Sequence, residues 1–151
     1  MDNTPKLIYP IEPTGAIGIV YRNTNDGRKF VLVSQKSGYL SVAGGGKEEA
    51  DQNADETIVR ELKEELGLLK TQYKMRKLSF RHDFVYGPWK KERAGQQASN
   101  SVYLILLADG VRIKPNPSEI VDAFWVDEAE VLDKISLPDL KEIFKKAMLE
   151  I

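Results

Sequence analysis

Cysteine is absent from the 151-residue chain, and histidine occurs only once. The lack of cysteine excludes disulfides and thiolate metal sites, and it fits a reducing compartment. The single histidine, His82, has no second nitrogen ligand with which to form a metal site. We therefore expect His82 to be structural or to act as a hydrogen-bond donor.

The chain also lacks a strong net charge and a long apolar run. Its formal charge of −1 gives no overall field that would attract nucleic acid or an anionic membrane. The longest apolar run, Val102–Ala108, is far too short to cross a bilayer as a helix. No basic stretch followed by an apolar core opens the sequence, so we expect no signal peptide and a cytoplasmic setting. The length predicts a single domain over residues 1–151.

The pattern of apolar residues predicts strands mixed with helices in one α/β (α+β) arrangement. The predicted strands are Gly15–Arg22, Lys29–Gln35, Tyr39–Val42, Met75–Tyr86, Val102–Leu107 and Ala123–Val126. The predicted helices are Ala54–Leu66, Glu128–Asp133 and Pro138–Met148. A turn at Asn23–Arg28 joins the first two strands, and Gly44, Gly45 and Gly46 form a predicted loop before the central helix.

The central helix has clear start and stop signals. Asn53 is a suitable N-cap, and Glu56 follows three residues later, as in a capping box. Gly67 is a suitable residue to end the helix. On a helical wheel, one apolar stripe is formed by Ile58, Val59, Leu62 and Leu66.

Three carboxylates of this helix, Glu61, Glu64 and Glu65, fall beside the apolar stripe and not opposite it. As like-charge pairs three and four residues apart, they destabilise the helix. One interpretation is a solvated acidic edge. The other is a divalent-cation site, which the border position and the preceding glycines favour. Mg²⁺ or Mn²⁺ would relieve the repulsion, since both prefer oxygen ligands.

The segment from Gly46 to Leu68 resembles the Nudix box. That pattern is Gly, five residues, Glu, seven residues, and then Arg-Glu-apolar-any-Glu-Glu-any-Gly-apolar. The residues that match it in register are Gly46, Arg60, Glu61, Leu62, Glu64, Glu65, Gly67 and Leu68. Gln52 stands where the first Glu is expected, which removes an accessory carboxylate. Glu49 and Asp51 are close enough in sequence to compensate.

The resemblance implies a Nudix-type α/β/α sandwich with a mixed sheet. It also implies Mg²⁺-dependent hydrolysis of a phosphoanhydride in a nucleoside diphosphate linked to another group, with Mn²⁺ as a substitute. By motif position, Glu61, Glu64 and Glu65 would be the metal ligands, helped by the backbone carbonyl of Gly45. Arg60 would orient a carboxylate, with Glu61 the first choice.

The general base is sought outside the motif. Glu119 precedes Trp125 in a stretch that resembles the RNA pyrophosphohydrolase and dinucleoside polyphosphate branches of the family. We expect Glu119 to be a metal ligand or the base, and otherwise a loop residue. Glu92 is the second candidate.

Basic and aromatic residues follow the acidic helix. Lys70 to Arg93 contains eight bases and two acids, which suits a polyphosphate, although these bases could instead solvate strand edges. Alternation predicts one shared strand face for Phe80, His82, Phe84 and Tyr86. The candidate substrate contacts are Arg81, Tyr86, Trp89, Lys90 and Lys91, together with the polar loop Glu92–Gln97.

The sequence leaves several alternatives open for the substrate, the type of function and the oligomeric state. Candidate substrates are dinucleoside polyphosphates, nucleoside triphosphates, nucleotide sugars and RNA 5′ ends, and the near-neutral charge disfavours long RNA. Gln52 leaves room for a Nudix-fold binding or regulatory module without turnover. A third alternative is an interaction protein whose acidic helix binds no metal. A homodimer is open as well.

Overall fold

The computed structural model describes residues 8–88 and 91–151, which form seven strands, three helices and a short 3₁₀ turn. The strands are β1 (Gly15–Thr24), β2 (Gly27–Ser34), β3 (Leu40–Ser41), β4 (Ala43–Gly46), β5 (Tyr73–Val85), β6 (Gln97–Leu107) and β7 (Asp122–Asp127). The helices are α1 (Ala54–Leu66), α2 (Glu128–Lys134) and α3 (Pro138–Met148), and the 3₁₀ turn is Lys70–Gln72.

Strand β1 lies at the centre of a mixed sheet. It runs parallel to β6 on one side and antiparallel to β2 and β4 on the other. β2 also pairs with β3 and β7, and β5 pairs with β6. The mixed sheet that the sequence resemblance implied is confirmed.

Helices cover both faces of this sheet. Ile58, Leu62 and Leu66 of α1 pack in one core cluster, together with Ala16 and Val20 of β1. The other face of β1, which carries Ile17, Ile19 and Tyr21, packs in a second cluster with α2 and α3. Because successive strand residues point to opposite faces, one buried strand serves both clusters. The α+β fold with helices on both faces of the sheet is therefore as predicted.

Helix α1 begins and ends where the sequence signals place it. The side chain of Asn53 accepts a hydrogen bond from the backbone N–H of Glu56, at 3.0 Å. Gly67 has φ +66, and its N–H donates to the carbonyl of Lys63, at 3.1 Å. Capping within one turn at each end thus sets the length of the helix.

The glycine segment differs from the sequence expectation. Gly44, Gly45 and Gly46 belong to strand β4, which pairs antiparallel with β1, and not to a loop. Gly44 has φ +154, and an added Cβ would lie 2.3 Å from the backbone oxygen of Ala16. Glycine is required because the strand passes so close to its neighbour that a side chain would not fit.

Two other boundaries were predicted wrongly. β1 and β2 extend to a two-residue turn at Asn25 and Asp26, so the predicted turn at Asn23–Arg28 is mostly strand. β6 begins at Gln97, and its first five residues are mostly polar. These polar residues give no apolar pattern from which a strand could be predicted. Their strand conformation is instead set by pairing with β1 and β5. Among the described residues, no helix has the length and apolar character needed to cross a membrane.

Candidate active site

The acidic side chains of α1 lie against the glycine strand β4. Glu61 and Glu65 are only 9% and 5% exposed. Glu65 Oε2 accepts a hydrogen bond from the backbone N–H of Gly44, at 3.2 Å. A Cβ on Gly45 would lie 2.4 Å from Glu61 Oε1, so the missing side chain makes room for this carboxylate. The glycines that precede the helix thus let it approach the sheet closely.

Burial and mutual repulsion set the electrostatics of these carboxylates. Burial and, after it, the neighbouring charge of Glu61 raise the pKa of Glu65 to about 8. Burial also raises the pKa of Glu61, against the opposing effect of Arg60. The charge of Glu119 adds to the repulsion at both. The cluster therefore favours a bound cation or a bound proton.

Glu119 reaches the cluster through a loop that is tied to the last turn of α1. The backbone N–H of Lys114 donates to the carbonyl of Leu66, at 2.7 Å, and that of Asn116 donates to the carbonyl of Glu65, at 2.9 Å. The N–H of Glu119 in turn donates to the Asn116 carbonyl, at 3.0 Å. Carbonyls left unpaired at the end of a helix thus hold the segment that carries the fourth carboxylate.

Arg60 contacts two of the three helix glutamates. Its Nη1 lies 3.0 Å from Glu61 Oε1 and 3.1 Å from Glu64 Oε2. Its Nη2 donates to the carbonyl of Gly46, at 3.1 Å, and the guanidinium also lies 3.3 Å from Glu48. Arg60 therefore lies beside Glu61, the carboxylate that the motif assigned to it, and also joins α1 to β4.

Asp51 is the residue that anchors Arg60. Arg60 Nη2 lies 2.8 Å from Asp51 Oδ2, and Nε lies 3.2 Å from both carboxylate oxygens. The Asp51 carboxylate also accepts from the N–H of Glu48 and from the hydroxyl of Thr57, at 2.9 and 3.1 Å. The hydrogen bonds from Arg60 are the main reason that the pKa of Asp51 falls to about 2.

Gln52 takes no part in this network through its side chain, which is exposed. Its backbone N–H donates to Glu56 Oε2, at 2.9 Å. Glu49 is exposed as well. Of the two acids near enough in sequence to compensate for Gln52, it is Asp51 that lies against the motif arginine.

The donor set suits a hard divalent cation. Glu61, Glu64 and Glu65 offer only carboxylate oxygens, and a cation would relieve the repulsion among their charges that contributes to the raised pKa values of Glu61 and Glu65. Within the described residues, no three acidic or histidine side chains stand close enough to form a ready metal-binding group. Glu61 and Glu64 are instead bound to Arg60, and Glu65 accepts a hydrogen bond from Gly44. Cation binding would require these side chains to turn.

A cavity of about 670 Å³ opens beside β4. Of the predicted site residues, Gly45, Tyr86 and Glu119 line it. Arg81 does not line it. It alternates with His82 along β5 and donates to the carbonyl of Ile11, at 2.6 Å. Lys91 is exposed and is not part of the lining, and the same is true of Glu92. Trp89 and Lys90 lie outside the described residues.

Aromatic rings from β5 and the residue after it form one wall of the cavity. His82 stacks on Phe84 with ring centroids 4.9 Å apart, and Phe84 meets the edge of Tyr86 at 5.0 Å. These three share one face, as the alternation predicted. Phe80 packs against the second core cluster and lies beside α3, the helix that His82 also contacts.

His82 joins this wall to helix α3. Its Nε2 lies 2.7 Å from Asp139 Oδ2, which lowers the pKa of that aspartate. His82 Nδ1 is buried and has no hydrogen-bond partner among the described residues. The expected structural role of the single histidine fits this position.

The sequence places Arg93 in the polar loop Glu92–Gln97, a candidate substrate contact, but does not single it out. Its guanidinium lies against Gly46, where an added Cβ would be 2.9 Å from Nη1, and it lines the cavity. The polar turn around it carries no periodicity, so the sequence offers no signal that would single out this arginine from its basic neighbours.

The sequence of residues 12–148 matches the family model described as the NUDIX domain. The chain belongs to this family. Among curated proteins, none matches the chain in sequence.

Solved Nudix structures share the fold at low sequence identity. The Caenorhabditis elegans Ap4A hydrolase is 15% identical, with a TM-score of 0.72 over 92% of this chain and 98% of its own. The Escherichia coli dihydroneopterin triphosphate pyrophosphohydrolase is 14% identical, with a TM-score of 0.77 over 96% and 100%. The NUDIX domain of Shewanella oneidensis NrtR, complexed with ADP ribose, is 16% identical, with a TM-score of 0.74 over 94% and 90%. At these identities the likeness concerns the fold alone.

Proposed function

We propose that this Nudix domain is a divalent-metal-dependent pyrophosphohydrolase that acts on a nucleoside diphosphate linked to another group. The observation that carries the proposal is the placement of Glu61 and Glu65 of α1 against the glycine strand β4. The glycines of this strand line a cavity of about 670 Å³ together with Glu119, whose charge acts on both glutamates. A cavity of this size accommodates a nucleotide. Glu119 in its lining and the α1 carboxylates that pack against β4 suit a substrate whose reacting group is a phosphoanhydride.

In the proposed reaction, a water oxygen bonds to one phosphorus and the bridging phosphorus–oxygen bond breaks, so that two phosphate products leave. Glu61, Glu64 and Glu65 would hold Mg²⁺ or Mn²⁺, and the Gly45 carbonyl is proposed as a further ligand. The cation would neutralise the phosphoanhydride charge. Arg60 would keep Glu61 and Glu64 in place, since it contacts both and is itself anchored by Asp51.

Glu119 is proposed as the group that accepts the proton from the attacking water, or otherwise as a further ligand. It lines the cavity, whereas Glu92 does not. Glu119→Gln separates the two roles. Loss of a base removes the acidic limb of the pH profile of kcat/KM, whereas loss of a ligand raises the Mg²⁺ concentration needed for half-maximal rate. Glu92→Gln is the matched control and should retain both values.

Four classes of substrate are candidates, and a hydrolysis assay distinguishes them. They are dinucleoside polyphosphates, nucleoside triphosphates, nucleotide sugars and RNA 5′ ends. The three similar structures are named for Ap4A, dihydroneopterin triphosphate and ADP ribose, and these differ from one another. The test is hydrolysis of a panel of these compounds with Mg²⁺, with the products identified and Glu65→Gln run in parallel. Tight nucleotide binding without turnover of any compound would instead favour a binding or regulatory module.

Asp51 weakens the case for such a module. That alternative arose from Gln52, which removes the expected carboxylate of the motif. Since the buried carboxylate of Asp51 already binds Arg60, the substitution at Gln52 leaves the motif arginine anchored.

A further inference from the structure

Arg93 lies in a short turn whose backbone is closed by hydrogen bonds. The N–H of Gly95 donates to the carbonyl of Tyr86, at 2.9 Å, and the N–H of Gln96 donates to the carbonyl of Arg93, at 2.9 Å. Gly95 has φ +80, which is suited to such a turn. The turn thus brings Arg93 back over the residue that follows β5.

Tyr86 holds the Arg93 side chain in two ways. Arg93 Nη1 donates to the Tyr86 hydroxyl, at 3.1 Å, and the guanidinium carbon lies 5.5 Å from the centre of the Tyr86 ring. Both contacts are with a neutral partner. Among the described residues, Arg93 has no carboxylate within 4.0 Å. Its positive charge is therefore available to a ligand.

Arg60 and Arg93 both lie beside Gly46, but within the described residues only the charge of Arg60 is paired with carboxylates of the protein. Arg60 bonds the Gly46 carbonyl and is surrounded by carboxylates of the protein. Arg93 lies against the Cα of the same glycine and faces the cavity. The other basic side chain that contributes to the described lining, Lys36, donates to the carbonyl of Ser118, at 2.6 Å. Arg93 is thus the better candidate to bind an anionic group.

The position of Arg93 also indicates which phosphate of a substrate it can contact. Gly45 and Gly46 are successive residues of β4, so their Cβ directions point to opposite faces. Glu61 lies on the Gly45 side, and Arg93 lies on the Gly46 side with the aromatic wall. A substrate that extends from the cavity to the carboxylates passes along β4, and Arg93 lies on the cavity side of this strand. Arg93 would meet it before the carboxylates do.

We infer that Arg93 and Tyr86 form a binding site for the phosphate that is attached to the nucleoside, separate from the phosphate held at the carboxylates. The inference deepens the proposed function and rests on it for the orientation of the substrate. It adds a specificity-determining residue, because a phosphate anchored at Arg93 sets which bond along the phosphate chain reaches Glu61, Glu64 and Glu65.

The test measures binding without metal and without turnover. The probes are the four ribonucleosides and their 5′-monophosphates, titrated into the whole chain in the presence of a chelator. We expect the 5′-phosphate of at least one nucleoside to improve binding about tenfold, as a charge-assisted hydrogen bond would. Arg93→Gln should abolish the improvement, Arg93→Lys should retain part of it, and Tyr86→Phe should reduce it.

Arg112→Gln is the matched control, since Arg112 is an exposed arginine outside the cavity lining. Equal loss in this variant would mean a general charge effect and would overturn the site. An unchanged improvement in Arg93→Gln, or no improvement for any probe in the wild type, would overturn it too.

Hydrolysis assays keep the two proposals apart. If the wild type hydrolyses a substrate but Arg93→Gln keeps its KM, the phosphate site is wrong and the proposed function stands. If the wild type hydrolyses nothing but still gains affinity through Arg93, the site stands and the enzymatic function is wrong. When both hold, Arg93→Gln raises KM about tenfold and changes kcat less.

Discussion

The guanidinium of Arg60 is bound to the buried carboxylate of Asp51, with Nη2 2.8 Å from Oδ2. Asp51 comes directly before Gln52, where the Nudix pattern has glutamate. The carboxylate that anchors Arg60 therefore stands one position before the place where the pattern has its accessory carboxylate. Since Arg60 also contacts Glu61 and Glu64, whatever moves Arg60 moves two proposed metal ligands.

Asp51→Asn should lower kcat/KM about 10- to 100-fold, the usual range for groups that orient metal ligands. The amide keeps the size of the side chain but loses the charge that holds Arg60. Steady-state rates across Mg²⁺ concentrations check this, with Glu49→Gln as the control because Glu49 is an exposed acid of the same loop. Gln52→Glu should be tolerated. If the double variant, Asp51→Asn with Gln52→Glu, is more active than Asp51→Asn alone, a carboxylate at position 52 can take over the role of Asp51. Full activity of Asp51→Asn would contradict the importance of this anchor.

Protonation of Asp51 in acid should lower the free energy of unfolding. Its pKa is about 2 in the folded chain against an ordinary value of 3.8, so the unfolded chain binds more protons between these values. The stabilisation is complete above about pH 4 and is lost as the pH falls toward 2. Urea unfolding from pH 5 to 2.5 should show a shallower decline for Asp51→Asn than for the wild type. Asp139, whose pKa is lowered mainly by its hydrogen bond with His82, accounts for part of the remaining decline. Parallel declines in the two proteins would contradict the assignment.

Glu65→Gln should reduce kcat by orders of magnitude while the fold stays intact. The buried carboxylate is the centre of the proposed metal site, and glutamine keeps its shape and an oxygen for the N–H of Gly44. Without metal, this variant should melt at a higher temperature than the wild type at neutral pH, because burial and Glu61 both disfavour the charge of Glu65. Mg²⁺ or Mn²⁺ should stabilise the wild type more than the variant.

Thermal melts with and without Mn²⁺ check the last prediction, with Glu130→Gln as the control. Glu130 is an exposed glutamate of α2 and lies outside the cavity lining. Near-normal turnover of Glu65→Gln would refute the assignment of Glu65 as a metal ligand.

Alanine substitutions along β4 should have three different effects. Gly44→Ala meets backbone, so it should unfold or strongly destabilise the chain. Gly45→Ala meets the Glu61 side chain, which can swing away, so kcat should fall while most of the stability remains. Gly46→Ala meets only the flexible end of Arg93, so KM should rise and kcat change little. Melting temperatures and steady-state kinetics of the three variants check this order. Equal effects of Gly45→Ala and Gly46→Ala would contradict the opposite-face arrangement.

Helix α1 shows how far local reasoning reaches. Asn53, Glu56 and Gly67 gave its exact span, because each cap acts within one turn of the helix. The helical period placed Glu61 and Glu65 beside the apolar stripe, and both are buried. The roles of Glu61, Glu64, Glu65 and Glu119 in metal binding and catalysis stay predictions, as do a homodimer and a cytoplasmic setting.

What the sequence determined by itself is the Nudix helix, the order of its carboxylates and the alternating face of His82, Phe84 and Tyr86. These follow from periods and caps that involve neighbours in the chain. Only the tertiary structure decided that the glycines form a strand, that Asp51 holds Arg60, and that Arg93 lies on Gly46 while Arg81 lies outside the cavity lining. Those contacts depend on strand register and loop closure, which bring together residues that no local pattern connects.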